Sequence, residues 1–249
     1  MDYAQKSTTA QIRERFDNDV ERFSNLETGQ TTWYDAPLML DALTSAAAVT
    51  NPNAQSVLDV GCGAGNYSLK LLQRLPNLNV TLLDLSRPML DRAQERLRGA
   101  TTGTIRALHG DIRELEIGTE IFDLIITGAA LHHLRVEAEW EQVFAKFHQS
   151  LKPGGSVWIA DFVEQSHPAV QALMAREWGD YLEQMKGADY RQAVENYVLE
   201  EDTPRPVTFQ MDVLRKVGFR DVELLHKRNL FAAFGAYKGS FNLCAAPKV

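Results

Sequence analysis

The run Ser56-Val57-Leu58-Asp59-Val60-Gly61-Cys62-Gly63-Ala64-Gly65 constrains this chain more than any other stretch. Val57, Leu58 and Val60 form a short apolar segment of the kind that makes a strand buried on both faces. The three glycines that follow at alternate positions clear side chains from the turn that leaves it. Such a turn accepts positive φ and lets a ligand lie against bare peptide groups at the start of the next helix. The spacing also excludes something. A dinucleotide fingerprint needs its third glycine where this chain has Asn66, so a nicotinamide or flavin site is disfavoured.

From Gln55 onward, strand and helix patterns alternate with short turns, which announces a parallel sheet. The periodicity predicts strands over 56–60, 79–84, 104–109, 121–127 and 155–162, with helices over 66–75, 87–98 and 137–151. Right-handed crossovers place the glycine and acidic loops together at the carboxyl edge of that sheet. Asp84 ends the second strand, close to the roughly 20-residue offset at which an α/β nucleotide site puts its ribose carboxylate. His109-Gly110-Asp111 follows the third strand, Phe122 to Thr127 makes the fourth, and Leu151-Lys152-Pro153-Gly154-Gly155 leads into the fifth.

In order and spacing these segments, over about residues 55–165, resemble motif I, the acidic loop, motif II and motif III of the class I S-adenosylmethionine (SAM) dependent methyltransferases. The resemblance implies an α/β, Rossmann-like, seven-stranded sheet in the order 3-2-1-4-5-7-6. Its closing hairpin is expected over Phe219–His226 and Asn229–Tyr237, after a helix from Val207 to Val217. It implies SAM as cofactor, with Asp59, Gly61, Gly63 and Gly65 at the methionine portion and Asp84 on the ribose. Asp111 is expected at the adenine amino group, Ile112 and Met89 on the ring faces, Leu85 beside the ring, and Thr127 at the same cleft. The chemistry agrees, since hydroxyls and an exocyclic amine are donors that suit carboxylates, whereas a purine needs apolar walls.

One domain is expected over 1–249: N-terminal helices over 1–50, the SAM-binding core over 55–165, a helical cap over 166–200, and a helix and hairpin over 205–245. Ile12, Phe16, Val20 and Phe23 make an apolar helical stripe behind the capping types Ser7, Thr8 and Thr9. The stripe reports burial and leaves open whether this helix is a lid or a fixed part of the core. Trp33 and Tyr34 are candidates near the methionine end, Tyr34 toward the cofactor and Trp33 toward an acceptor; a plain hydrophobic anchor is the other reading. Asp35 is expected to cap the next helix, which turns Leu38, Leu43 and Ala46 to the core. Asp161, Arg176, Trp178 and Tyr181 are candidate acceptor contacts. Arg176 either holds a carboxylate there or is solvated on a packed helix.

His132 and His133 follow the fourth strand, where the family places groups near the transferable methyl. One of them serves as a proton acceptor, or the loop merely braces the sheet edge. A metal is excluded at this stage, because adjacent histidines are expected to point apart and no acidic or cysteine spacing around them resembles a zinc site.

The charge balance of 26 basic against 33 acidic residues, net −7, opposes a polyphosphate acceptor, so neither DNA nor RNA is expected. The densest basic run, Arg92 to Arg98, carries Asp91 and Glu95 among its charges and reads as a solvated helix face. No stretch has the length and apolarity to span a bilayer, no signal-like segment opens the chain, and Cys62 and Cys244 make no disulfide framework; a cytoplasmic location with no membrane partner is expected. Cys62 sits in the glycine turn, where the resemblance implies a cysteine without a nucleophilic role. Methyl transfer to a small-molecule acceptor is the leading expectation. The alternatives are an enzyme that converts SAM itself, as in the carboxy-SAM synthase family whose closing hairpin this ending resembles, and a non-catalytic SAM-binding module.

Overall fold

The computed structural model describes residues 6–25 and 31–239; Cys244 and the end of the 205–245 segment lie outside them. Seven strands, β1 (Ser56–Val60), β2 (Asn79–Asp84), β3 (Ile105–His109), β4 (Phe122–Gly128), β5 (Leu151–Phe162), β6 (Val222–Arg228) and β7 (Phe231–Tyr237), form one sheet. The order is β3-β2-β1-β4-β5-β7-β6, as expected, with only β7 antiparallel to its neighbours β5 and β6.

Side chains of successive strand residues point to opposite faces, so each central strand feeds two cores. Val57 joins one, together with Leu82, Leu124, Ile126 and Trp158; this face is covered by α3 (Ala36–Thr50), α4 (Asn66–Leu72) and α5 (Arg87–Leu97). Leu58 and Val60 join the other, against Trp140, Phe144 and Phe147 of α6 (Glu137–Ser150) and Leu214 of α9 (Val207–Lys216). At the amino edge, Asp123 accepts the backbone N–H groups of Gln55 and Ser56, each at 3.0 Å, and the Lys152 ammonium at 2.9 Å. Burial alone would raise this carboxyl, but the Lys152 and Ser56 bonds prevail and lower it. Asp123 and Lys152, from the second and third sequence motifs, therefore clamp the sheet far from its carboxyl edge.

Several local expectations are corrected. The first helix is broken at Asp19 into α1 (Thr9–Asn18) and α2 (Val20–Phe23), although Thr8 does cap it, in a full capping box with Gln11. Asp35 does not cap α3; it sits in the left-handed region at φ 55° and its carboxylate binds Arg228 and His226. Leu38 faces solvent at 54% exposure, whereas Met39, Leu40, Leu43 and Ala47 are buried. The fifth strand starts at Leu151, because a register shift between Phe122 and Leu124 of its neighbour lets the Lys-Pro-Gly-Gly segment join it. The cap is two antiparallel helices, α7 (Pro168–Lys186) and α8 (Ala188–Glu201), turned at Gly187.

Candidate active site

The glycine turn leaves β1 with Gly61, Gly63 and Gly65 all at positive φ. A Cβ on Gly61 would stand 2.4 Å from the Ala130 Cβ, so only glycine lets the loop after β4 close against this turn. A Cβ on Gly63 would meet nothing within 4 Å, and the same residue's N–H donates to Asp84 Oδ2 at 2.8 Å. The other Asp84 oxygen accepts the Ser86 N–H at 2.8 Å. Burial pushes this carboxyl up, and those two N–H groups hold it partly down.

A cavity opens over this turn. Its walls include Gly61, Gly63, Asp84, Leu85, Met89, Asp111 and Ile112, which brings together most of the expected cofactor residues. They fit an adenosine-bearing cofactor: each Asp84 oxygen keeps a lone pair for a hydroxyl, Leu85, Met89 and Ile112 supply apolar wall, and the space above Gly63 is free of side chains. Cys62 lies in the same wall, its thiol pushed well up by burial and then by the charge of Asp84.

Four expected cofactor positions lie outside this wall, among them Gly65, which packs against α5 where a Cβ would stand 2.8 Å from Leu97 Cδ1. Asp59 does not line the cavity; it is buried beneath the turn and accepts the Ser68 hydroxyl at 2.6 Å. Burial raises its carboxyl to about 7, against the opposing bonds from Ser68. Thr127 is likewise buried inside the strand end and is not part of the wall. Asp111 lines the cavity, but Arg113 occupies both its oxygens, at 2.5 Å from Nη2 and 3.0 Å from Nε. Tyr34 is outside both the cofactor cavity and the one described next, with its ring 4.4 Å from that of Tyr181 and its hydroxyl donating to the Glu177 carbonyl.

A second cavity, of about 610 Å³, is walled by Trp33, Phe162, Trp178, Tyr190 and Tyr197, with Lys186 at its border. That volume falls within the range of small-molecule sites. Phe16, Phe23, Ala129 and His133 belong to the walls of both cavities, so the two meet there. Trp178 is in the wall with its indole N–H on the Thr32 carbonyl. Arg176 is exposed on α7 and borders neither cavity, and Tyr181 is turned away onto the Thr31 carbonyl. Asp161 is fully buried and serves His132: Oδ2 accepts the His132 backbone N–H at 3.0 Å and Oδ1 lies 2.5 Å from the ring Nδ1.

The two histidines occupy a 3₁₀ turn, Leu131–His133, with ring centroids 4.4 Å apart. They do not diverge as expected, and a third donor joins them. Asp202, which ends α8, places Oδ1 3.7 Å from His132 Nε2 and 3.4 Å from His133 Nδ1. The premise for excluding a metal therefore fails. Burial opposes charge on His132, but Asp161 and Asp202 outweigh it and raise the ring to about 9. Burial, and then the charge of His132, hold His133 well below the ordinary histidine value, while burial lifts Asp202 to about 6 against the pull of His132. Asp202 was not anticipated from sequence, where Glu200-Glu201-Asp202 reads only as an acidic helix end.

Above the junction of the cavities, α1 and α2 are tied down at several points. Arg15 binds Glu201 through Nε and Nη2, Arg113 reaches the Thr9 hydroxyl, and Asn66 donates to the Phe23 carbonyl.

A family model described as a methyltransferase domain matches residues 57–155. An uncharacterised methyltransferase of Geobacillus kaustophilus is 30% identical over 184 residues, 72% of this chain and 79% of that protein. An uncharacterised methyltransferase of Mycobacterium tuberculosis is 35% identical over 133 residues, and the match covers 53% of this chain and 62% of that protein. The carboxy-S-adenosyl-L-methionine synthase of Nautilia profundicola is 24% identical over 189 residues, 73% of this chain and 76% of that protein. Among solved structures, human N-acetylserotonin methyltransferase in complex with SAM superposes with a TM-score of 0.60 at 18% identity, covering 91% of this chain and 57% of that one. At that identity the likeness concerns the fold.

Proposed function

Because the chain belongs to the class I SAM-dependent methyltransferases, we propose that it transfers the methyl group of SAM to a small-molecule acceptor held in the aromatic cavity. The observation that carries this reading is the shared wall. Phe16, Phe23, Ala129 and His133 border both cavities, so a methyl group presented in the first emerges in the second.

SAM, when bound, supplies a methyl already activated as a sulfonium substituent, so the protein's task is alignment and exclusion of water. On this reading Asp84 accepts the ribose hydroxyls while its bond from Gly63 keeps the turn open. Leu85, Met89 and Ile112 flank the base, and the Gly61–Gly65 turn takes the methionine end. Trp33, Phe162, Trp178 and Tyr197 orient the acceptor, with Trp33 held 5.0 Å from Phe231 between ring centroids. His133, the polar side chain common to both walls, hydrogen-bonds the acceptor's nucleophilic atom, and His132 is oriented behind it by Asp161. Residues 6–25 act as a lid, and α7 with α8 forms the cap. The net charge of −7 and the aromatic walls favour a metabolite over a nucleic acid.

The similarity to the N. profundicola carboxy-SAM synthase supports a second reading, in which SAM itself is the compound altered. Incubation with methyl-labelled SAM and a metabolite extract, followed by mass spectrometry, separates the two. Methyl transfer predicts S-adenosylhomocysteine together with label on an acceptor. Label that remains on the sulfonium in a SAM-derived product of different mass sinks methyl transfer in favour of the second reading.

A further inference from the structure

We propose that His132, His133 and Asp202 form a binding site for a divalent transition-metal ion of zinc-like preference, facing the acceptor cavity. Ion binding stands on the side chains alone; its use on an acceptor rests on the methyl-transfer reading.

The three donors come from two segments whose relative position is fixed by the backbone. Thr203 N–H donates to the His132 carbonyl at 2.8 Å, and the Thr203 hydroxyl donates to the Leu134 carbonyl at 2.6 Å. The end of α8 is thereby fastened to the 3₁₀ turn, and Asp202 arrives beside both rings. Its Oδ1 lies 3.7 Å from His132 Nε2 and 3.4 Å from His133 Nδ1, and the three residues each offer a ligand atom within 4.8 Å of the others.

These separations exceed the roughly 2.7–3.2 Å of an N–H···O hydrogen bond. The two measured from Asp202 come close to the ~3.3 Å between neighbouring donors around a tetrahedral ion with bonds of about 2.0–2.1 Å. Hydrogen bonding points the same way. Asp202 Oδ1 and the His133 Nδ1 that faces it are buried without a hydrogen-bond partner, and Asp202 as a residue is only 6% exposed. Leaving a buried carboxylate oxygen and imidazole nitrogen unmatched is costly, and a cation between them satisfies both.

His132 also carries the support expected of a ligand. With Nδ1 against Asp161, its Nε2 is left to face the cluster, the carboxylate–histidine arrangement that fixes a metal-binding ring. The nearby Arg15 guanidinium is already committed to Glu201, which offsets its charge. Two imidazoles and one carboxylate form a donor set suited to zinc and its neighbours rather than to magnesium or calcium. All three residues line the acceptor cavity, so the ion keeps open positions and an entry path there. An acceptor oxygen on such an ion is held beside His133, at the junction with the cofactor cavity, and loses its proton more readily.

The test uses the full chain, stripped with a chelator and dialysed against Zn²⁺ alone, with elemental analysis and, in parallel, the visible spectrum of the Co²⁺-loaded protein. One equivalent of Zn²⁺ and cobalt bands of a nitrogen-ligated, low-coordinate site are expected, with affinity falling about tenfold or more in Asp202→Asn and His133→Asn. Wild-type loading below about 0.2 equivalents overturns the proposal, as does a cobalt spectrum of the hydrated ion. Zinc binding undiminished in both variants overturns it equally, because the ion then sits elsewhere. Should either variant fail to fold, the wild-type stoichiometry and cobalt spectrum decide alone. Zinc binding in a protein that transfers no labelled methyl would refute the methyl-transfer reading and leave the site standing.

Discussion

Asp84 at the end of β2 accepts the N–H of Gly63 from the turn after β1, at 2.8 Å, so the acidic strand end and the glycine turn behave as one unit. The carboxylate both shapes the turn and faces the cavity above it. Replacement by Ala is therefore expected to weaken SAM and S-adenosylhomocysteine alike, by roughly 1.5–3 kcal/mol, or about 10- to 150-fold in Kd. Calorimetric titration checks this, and unchanged affinity removes Asp84 from the site.

The N-terminal helices should respond to ligand. Phe16 and Phe23 border both cavities, and polar ties such as Arg15 to Glu201 help hold the segment in place. Amide exchange over residues 9–24 is expected to slow when S-adenosylhomocysteine is added, since a segment closing over ligand gains protection. Arg15→Ala should exchange faster in the free protein. Equal protection with and without ligand would make the segment a static part of the core.

Asp59 predicts a pH dependence of stability. Its carboxyl is raised from an ordinary 3.8 to about 7, chiefly by burial. Between those values the native chain binds more protons at this site than the unfolded chain does, so its contribution makes stability fall as pH rises from about 4 to 7. Asp59→Asn keeps an acceptor for Ser68 and carries no charge. Urea unfolding should show the variant more stable than wild type at pH 8, by roughly 2–4 kcal/mol, with the difference vanishing near pH 4. A difference independent of pH contradicts the assignment.

Trp33 separates the two cavities functionally, because it lines the aromatic cavity and not the other. Once labelling has identified the acceptor, Trp33→Ala should raise its KM about tenfold, the loss of ~1–1.5 kcal/mol of aromatic contact. Calorimetry should find S-adenosylhomocysteine affinity unchanged. An equal loss for both ligands would place Trp33 at the cofactor instead.

The residues that could be read ahead of the structure share one property: their signal is local. A two-sided strand followed by alternating glycines dictates its own turn, and Asp84 ends a strand whose periodicity is visible within a few positions, whereas Leu85, Met89 and Ile112 in the cavity wall were expected from the family resemblance. Neighbours that part company lacked such a signal. Trp33 enters the aromatic cavity and Tyr34 turns instead to Tyr181, just before the left-handed turn at Asp35. Arg176 and Trp178 lie on one helix, yet only Trp178 reaches the cavity wall.

Sequence alone determined the alternating strands and helices and the glycine-and-carboxylate edge, because hydrophobic period and turn chemistry act over a handful of residues and right-handed crossovers bring the strand ends together; the order of the sheet came from the family resemblance. What lies opposite that edge was decided by tertiary structure. Asp202 meets His132 and His133 only because Thr203 docks the end of α8 on the 3₁₀ turn, about seventy residues away in the chain. Asp161 faces His132 instead of an acceptor, and Arg113 takes both oxygens of Asp111, for the same reason. A charged side chain's partner depends on which backbones pack beside it, and no periodic pattern in the sequence encodes that.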